Sequence, residues 1–207
     1  LGGSATQFAP VGPDAGTLTT RVIVTKVSSS GGMIIQHYEF EVRSSKELVY
    51  KGDTYFGFFS AQALVNQVGL RDTDVYKPTQ KELSVSAEFD YPVDAPYPAD
   101  MMRMVRSIEV FDPLGGPKGL GYIQGSIEVD PNAWFFKAHF YQDPVWPGSL
   151  GLEAFVQLLK YAAVERWAVG PAPRIETLAL GEKHTWVYRG QVLPSDAKVT
   201  IRACVTA

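Results

Sequence analysis

Cysteine is almost absent from this chain. A single thiol, Cys204, among 207 residues cannot close an internal disulfide. That excludes the stapled frameworks of small secreted domains and points to a reducing compartment. Histidine is nearly as scarce, and the three at positions 37, 139 and 184 are too scattered to form a metal-ligand cluster. There is no run of Lys or Arg, and the formal charge is -3, so no basic field exists to track a phosphate backbone and nucleic acid is not expected as a partner. No apolar run approaches the roughly 20 residues of a membrane span, and the N-terminus lacks the basic-then-apolar order of a signal peptide. A cytoplasmic protein without membrane attachment is expected. Because the chain opens on Leu1 rather than methionine, it reads as a piece of a longer one.

What is present suffices for a core. With 45% hydrophobic and 12% aromatic residues, the chain can fill one large domain or two small ones. Residues 1–16, rich in Gly, Ala and Pro without periodicity, read as a linker or arm. Residues 17–96 begin with three extended runs, Leu18 to Val27, Met33 to Arg43 and Leu48 to Phe59. They are separated by Ser28-Ser-Ser-Gly-Gly32 and Ser44-Ser-Lys-Glu47, which marks an antiparallel meander. Ser60 to Gly69 reads as irregular, and the proline-rich connector Tyr91 to Pro98 puts a boundary near residue 97. Residues 97–207 form the second unit. Here Met101 to Phe111 reads as a short helix or turn and a strand, Gly119 to Val129 as a strand, and Trp134 to Tyr141 as a shorter extended piece. Leu150 to Trp167 is the one long helix, apolar nearly all round and so in need of wrapping. Strands at Glu176 to Tyr188 and Ala197 to Thr206 complete a curved antiparallel sheet around it, an α+β arrangement.

The chemistry concentrates between Trp134 and Gln157. There a Pro147-Gly148 step leads into the apolar helix, so that His139 can face the helix mouth while Glu153 lies one turn inside. Such an order suits acid/base work on a carbonyl compound: neutral imidazole is a base near neutral pH, and a carboxylic acid can help an oxygen leave. A helix face of Leu150, Leu152 and Phe155 favours the uncharged carboxyl. The first N–H groups of the helix carry partial positive charge, and Gly148, without a Cβ, admits a substrate carbonyl close to them. Gln157, four residues beyond Glu153 on the same helix face, can orient its carboxylate. Asp143 in an Asp-Pro step reads as turn-shaping rather than as a rival acid. His37, His184 and Cys204 have no partner at a chemical spacing and read as structural, while Trp134, Phe135 and Phe136 read as core or tunnel wall.

D-P-V-W-P-G-S-L-G-L-E-A at 143–154, preceded by W-F-F-K-A-H-F at 134–140 and followed by G-Q-V-L-P at 190–194, resembles the β-hydroxyacyl-(acyl carrier protein) dehydratases of the β-hydroxydecanoyl type. Within that family the similarity is to dehydratase domains of polyunsaturated fatty acid synthases and polyketide-like megasynthases. The resemblance implies a hotdog fold, in a double-hotdog or hotdog-dimer arrangement. It implies His139 and Glu153 as the catalytic pair, with Phe140, Asp143, Pro144, Val145, Trp146 and Pro147 shaping the turn and tunnel. The implied reaction removes water from a 3-hydroxyacyl thioester on acyl carrier protein to give a trans-2-enoyl thioester, with 2,3-isomerisation as a further step. It needs no cofactor and takes the carrier protein and neighbouring synthase domains as partners. The strands from Thr17 to Phe59 resemble the closing strands of another hotdog unit. No histidine in that half is followed fourteen residues later by an acid, so it is expected to be a scaffold or a fragment rather than a second active site. Two alternatives stay open, a hotdog acyl thioesterase and a catalytically inactive structural hotdog.

Overall fold

The computed structural model of the chain describes residues 1–65, 76–94, 97–167 and 178–207. In chain order the elements are β1 (Gly2–Gln7), β2 (Thr19–Ser30), β3 (Met33–Arg43), β4 (Leu48–Phe59), α1 (Ala61–Val65), α2 (Gln80–Ser84), β5 (Ser86–Asp90), β6 (Ser107–Asp112), β7 (Tyr122–Glu128), α3 (Trp134–Ala138), α4 (Gly148–Trp167), β8 (Lys183–Val187) and β9 (Lys198–Cys204). They fall into two compact units. Unit 1 comprises Leu1–Asp72 with Glu176–Gly190, and unit 2 comprises Thr73–Ile175 with Gln191–Ala207.

Unit 1 is a five-stranded antiparallel sheet in the order β2-β3-β4-β1-β8. Ser30 pairs with Met33, which leaves Gly31 and Gly32 as a two-residue turn with φ of 57° and 77°. Only a residue without a Cβ takes such angles freely, so this pair fixes the hairpin register. At the next turn, Ser44 accepts hydrogen bonds on Oγ from the N–H groups of Lys46 and Glu47, both at 3.2 Å. Alternation then puts Tyr38 beside Phe56, with ring centroids 4.9 Å apart.

The N-terminal residues expected to form an arm instead supply β1, between β4 and β8. Their smallness is what admits them. A Cβ on Gly3 would lie 2.5 Å from Asp53 O and 2.6 Å from Trp186 Cζ2, so Trp186 can close over this strand only because glycine is there. The strand expected within Glu176 to Tyr188 is β8, and it pairs with β1 rather than joining the sheet that packs on the long helix. Within the stretch expected to be irregular, Ala61–Val65 is helical, and residues 66–69 lie outside the described residues.

Unit 2 packs α4 against an antiparallel sheet in the order β5-β6-β7-β9, the α+β helix-on-sheet arrangement of a hotdog. Its sheet begins before residue 97, because β5 pairs with β6. Leu150, Ala154, Gln157, Leu158, Tyr161 and Ala162 make a buried stripe at three- and four-residue spacing, whereas Leu152, Phe155 and Leu159 stay exposed. The helix expected to be wrapped nearly all round is covered along one stripe by the described residues. A Cβ on Gly125 would meet Leu158 Cδ2 and Val105 Cγ1, each at 2.9 Å. Helix and strand touch there, so Gly125→Ala overpacks the core. It is expected to cost about 1–3 kcal/mol, readable as a lower urea midpoint at unchanged m-value.

One buried carboxylate ties the edges of unit 2 together. Glu82 is 4% exposed and accepts from Tyr76 Oη at 2.7 and 2.8 Å, from Thr79 N at 2.6 Å and Oγ1 at 2.9 Å, and from Gly116 N at 2.6 Å. Burial alone would raise its pKa. The hydrogen bonds from Gly116, Thr79 and Tyr76 outweigh that and hold the carboxyl down at about 2.

Candidate functional site

The segment from α3 to α4 carries the candidate site residues His139, Gly148, Glu153 and Gln157. Trp134 to Tyr141, expected to be extended, begins with a helical turn, α3. Phe135 and Phe136 are buried there, with Phe135 packed on Trp146 at a centroid distance of 4.5 Å. Tertiary burial of that aromatic pair overrides the strand preference of the sequence. His139 leaves the helix with extended angles, φ -145° and ψ 108°, while its N–H still bonds to Phe135 O at 2.9 Å. Phe140 and Asp143 exchange backbone bonds of 3.0 and 3.2 Å around a tight turn, and the chain comes back so that Val145 N donates to His139 O at 3.1 Å.

This return fixes the imidazole. His139 Nδ1 lies 3.1 Å from Val145 O. A carbonyl oxygen only accepts, so the contact is a hydrogen bond when Nδ1 carries the proton, and the neutral ring then keeps its lone pair on Nε2. The ring packs against Phe140 at 3.8 Å between centroids. Trp146 follows, buried, with its N–H on Val192 O at 2.9 Å, so the segment at 190–194 braces the turn. Pro147 O accepts from Leu150 N at 3.0 Å and opens α4. The N–H groups of Gly148 and Ser149 stand at the helix start, where no intrahelical acceptor exists.

Glu153 is held from inside the helix. Gln157, with 0% exposure, donates from Nε2 to Glu153 Oε1 at 3.0 Å and to Met102 O at 2.8 Å, and accepts on Oε1 from Met104 N at 2.9 Å. Both amide protons and the oxygen are engaged, which leaves the side chain one orientation. Tyr91 Oη donates to Gln157 O at 2.7 Å, locking the same helical turn. Burial, then Tyr97 and Glu153, push the Tyr91 hydroxyl well above its ordinary pKa, so it remains a donor.

His139 and Glu153 thus lie on either side of the Pro147-Gly148 step, with no hydrogen bond joining them among the described residues. Of the three apolar neighbours expected to shield Glu153, Leu150 is buried but Leu152 and Phe155 are exposed. Among the expected turn and tunnel residues, Val145 and Trp146 are buried, Pro147 is half-buried, Asp143 and Pro144 are exposed, and Phe140 is 57% exposed. A cleft of about 510 Å³ in unit 2 is bordered by Trp146 but by neither His139 nor Glu153. Tyr91 does not stand out in the sequence, because it meets Gln157 only through folding.

In unit 1, His184 Nε2 pairs with Tyr50 Oη at 2.8 Å, and His37 stacks on Tyr55 at 5.5 Å. Among the described residues, no group of three or more His, Cys, Asp or Glu could hold a metal ion. No helix among them is long and apolar enough to cross a membrane.

The FabA-like domain family matches residues 97–207. One subunit of the polyunsaturated fatty acid synthase of Thraustochytrium sp. (strain ATCC 26185 / S-3) is 33% identical over 205 residues, which is 88% of this chain and 14% of that protein. The chain therefore spans a small part of the length of that curated relative.

Proposed function

Because this chain belongs to the FabA-like family, we propose that it is a dehydratase acting on 3-hydroxyacyl thioesters, tethered to acyl carrier protein, in polyunsaturated fatty acid or polyketide-like synthesis. The observation that carries the reading is the His139 Nδ1 to Val145 O contact, which, with the proton on Nδ1, leaves Nε2 as the basic atom. His139 Nε2 takes the proton from C2 of the acyl chain. The C2–H electron pair forms the C2=C3 double bond, the C3–O bond breaks, and Glu153 gives its proton to the departing oxygen, which leaves as water. Charge that gathers on the thioester oxygen meets the N–H groups at or beside Gly148. Donors of that kind are worth about 3–4 kcal/mol in comparable sites. Gln157 aims the Glu153 carboxyl and takes no part in the bond changes. The relative is by name one part of a larger synthase, which supports a setting among other domains. The reading includes a second hotdog unit, from a homodimer or a pseudo-dimer, placed against this one.

Mass spectrometry of carrier-bound 3-hydroxyacyl chains of several lengths tests the proposal. Loss of water from the acyl group is expected, and a shifted double bond in the product would add isomerisation. Release of free thiol would make the protein a thioesterase instead, and an unchanged substrate would leave it a scaffold. Gln157→Met keeps the length of the side chain but removes its hydrogen bonds. It is expected to lower kcat about tenfold with little change in KM, and to lower stability by about 2 kcal/mol because Met104 N–H and Met102 O lose their partner.

A further inference from the structure

The sheet of unit 1 has two unlike faces. Its register puts Arg21, Lys26, Glu39, Glu41, Lys51 and Asp53 on one side, since side chains alternate along each strand. The other side carries no Asp, Glu, Lys or Arg on any of the five strands. There Val22, Val24, Val27, Ile34, Phe56 and Phe58 stand 42% to 62% exposed. Cross-strand pairing joins them into one patch: Val22 lies opposite Phe40, Val24 opposite Tyr38, and Ile34 opposite Phe58. The hydroxyls among them are already engaged within the sheet. Tyr38 donates to Gln36, Tyr50 pairs with His184 at 2.8 Å, and Thr54 donates to Gly2 O at 3.0 Å. Such a face loses little on drying and gains by it, whereas monomers seldom leave more than a few hundred Å² of contiguous apolar surface in water.

We infer that two copies of this chain pack these faces together, unit 1 on unit 1, as a twofold β-sandwich. Area supports a second copy. The six side chains expose on the order of 500 Å², and with Gln36, Tyr38 and Phe40 around them the face approaches the roughly 800 Å² per partner of a stable interface. Charge decides between the face and the sheet edge. The edge strand β2 carries Arg21 and Lys26 and no acid, and its ladder is interrupted between Val24 and Lys26. Pairing β2 with its own copy would therefore bring four positive charges together, while the face brings none. A twofold contact needs a surface that complements itself, and a wide charge-free face meets that condition. The exposed row on α4, Leu152, Phe155 and Leu159, is smaller and is flanked by Glu153, so it is a poorer match. The patch precedes the family-matched residues 97–207 in sequence, and the inference stands whether or not the dehydratase reading does.

Sedimentation velocity of the intact chain at micromolar concentration should give the mass of two chains. Val24→Lys and Phe58→Lys each put an unpaired charge into the contact and should weaken association by about a hundredfold or more. Their circular dichroism should stay that of the wild type, because both side chains are exposed in the single chain. A copy carrying both lysines, mixed with one carrying Val24→Glu and Phe58→Glu, should assemble again as a mixed dimer, a rescue that only a copy-to-copy contact allows. Removing the edge charges with Arg21→Ser and Lys26→Ser should leave the dimer as it is. A wild type that sediments as one chain overturns the inference and gives the face to a different partner. A dimer that survives both lysine variants and tightens when Arg21 and Lys26 are replaced is paired through β2, which overturns it as well.

Discussion

The His139→Ala variant should lose about three orders of magnitude in kcat on a 3-hydroxyacyl thioester while melting as the wild type does, since a positioned general base contributes roughly 10²–10⁴-fold. Little stability is at stake. Among the described residues the half-buried ring makes one polar contact, to Val145 O, and the backbone bonds between residues 139 and 145 do not involve it. His139→Gln supplies a donor for Val145 O but no base, so it should be nearly as inactive as the alanine variant. Glu153→Gln should also lose turnover, by about 10²-fold. The double variant should be scarcely worse than His139→Ala, because acid and base act in one event and their losses do not add. Steady-state rates of the four proteins, set beside their melting curves, check this.

Glu82→Ala is expected to be strongly destabilising, at about 3–4 kcal/mol. It strands the N–H groups of Thr79 and Gly116 and the Tyr76 hydroxyl in or near the interior, and it leaves a void. The pH dependence has a definite sign. The folded carboxyl sits at about 2, below its ordinary 4.5, so its contribution is complete above pH 4.5 and is lost as the pH falls toward 2. Tyr76, pushed up to about 12 chiefly by its hydrogen bond to Glu82, gives the opposite limb: its contribution is complete below its ordinary value of 10 and is lost as the pH rises through about 12. Urea melts of both proteins between pH 7 and pH 3 should show their difference shrinking with acid. Glu109 is also held at about 2, burial being outweighed by Lys198, Ser126 and Gln124. It destabilises both proteins alike in acid, so the difference between them isolates Glu82.

The hairpins of β3 and β4 are legible in sequence because β-branched and aromatic residues alternate there between short polar turns. β1 is not, since Gly2, Gly3 and Ala5 carry no strand preference and are recruited by the closure of Trp186 and β4 around them. The same kind of long-range packing turns Trp134–Ala138 into a helix. In the candidate site, His139, Gly148, Glu153 and Gln157 can be picked out because they fall within the one short block, 134–157, whose motif carries the family resemblance. What holds Gln157 cannot, for Tyr91, Met102 and Met104 lie 53 to 66 residues away along the chain.

Run in deuterium oxide from a trans-2-enoyl thioester, the reverse reaction delivers hydrogen to C2 from the group that removes it in the forward direction. The wild type should form 3-hydroxyacyl thioester carrying one deuterium at C2, and His139→Ala should form none. Deuterium arriving at C2 at an undiminished rate without the imidazole would contradict the role given to His139.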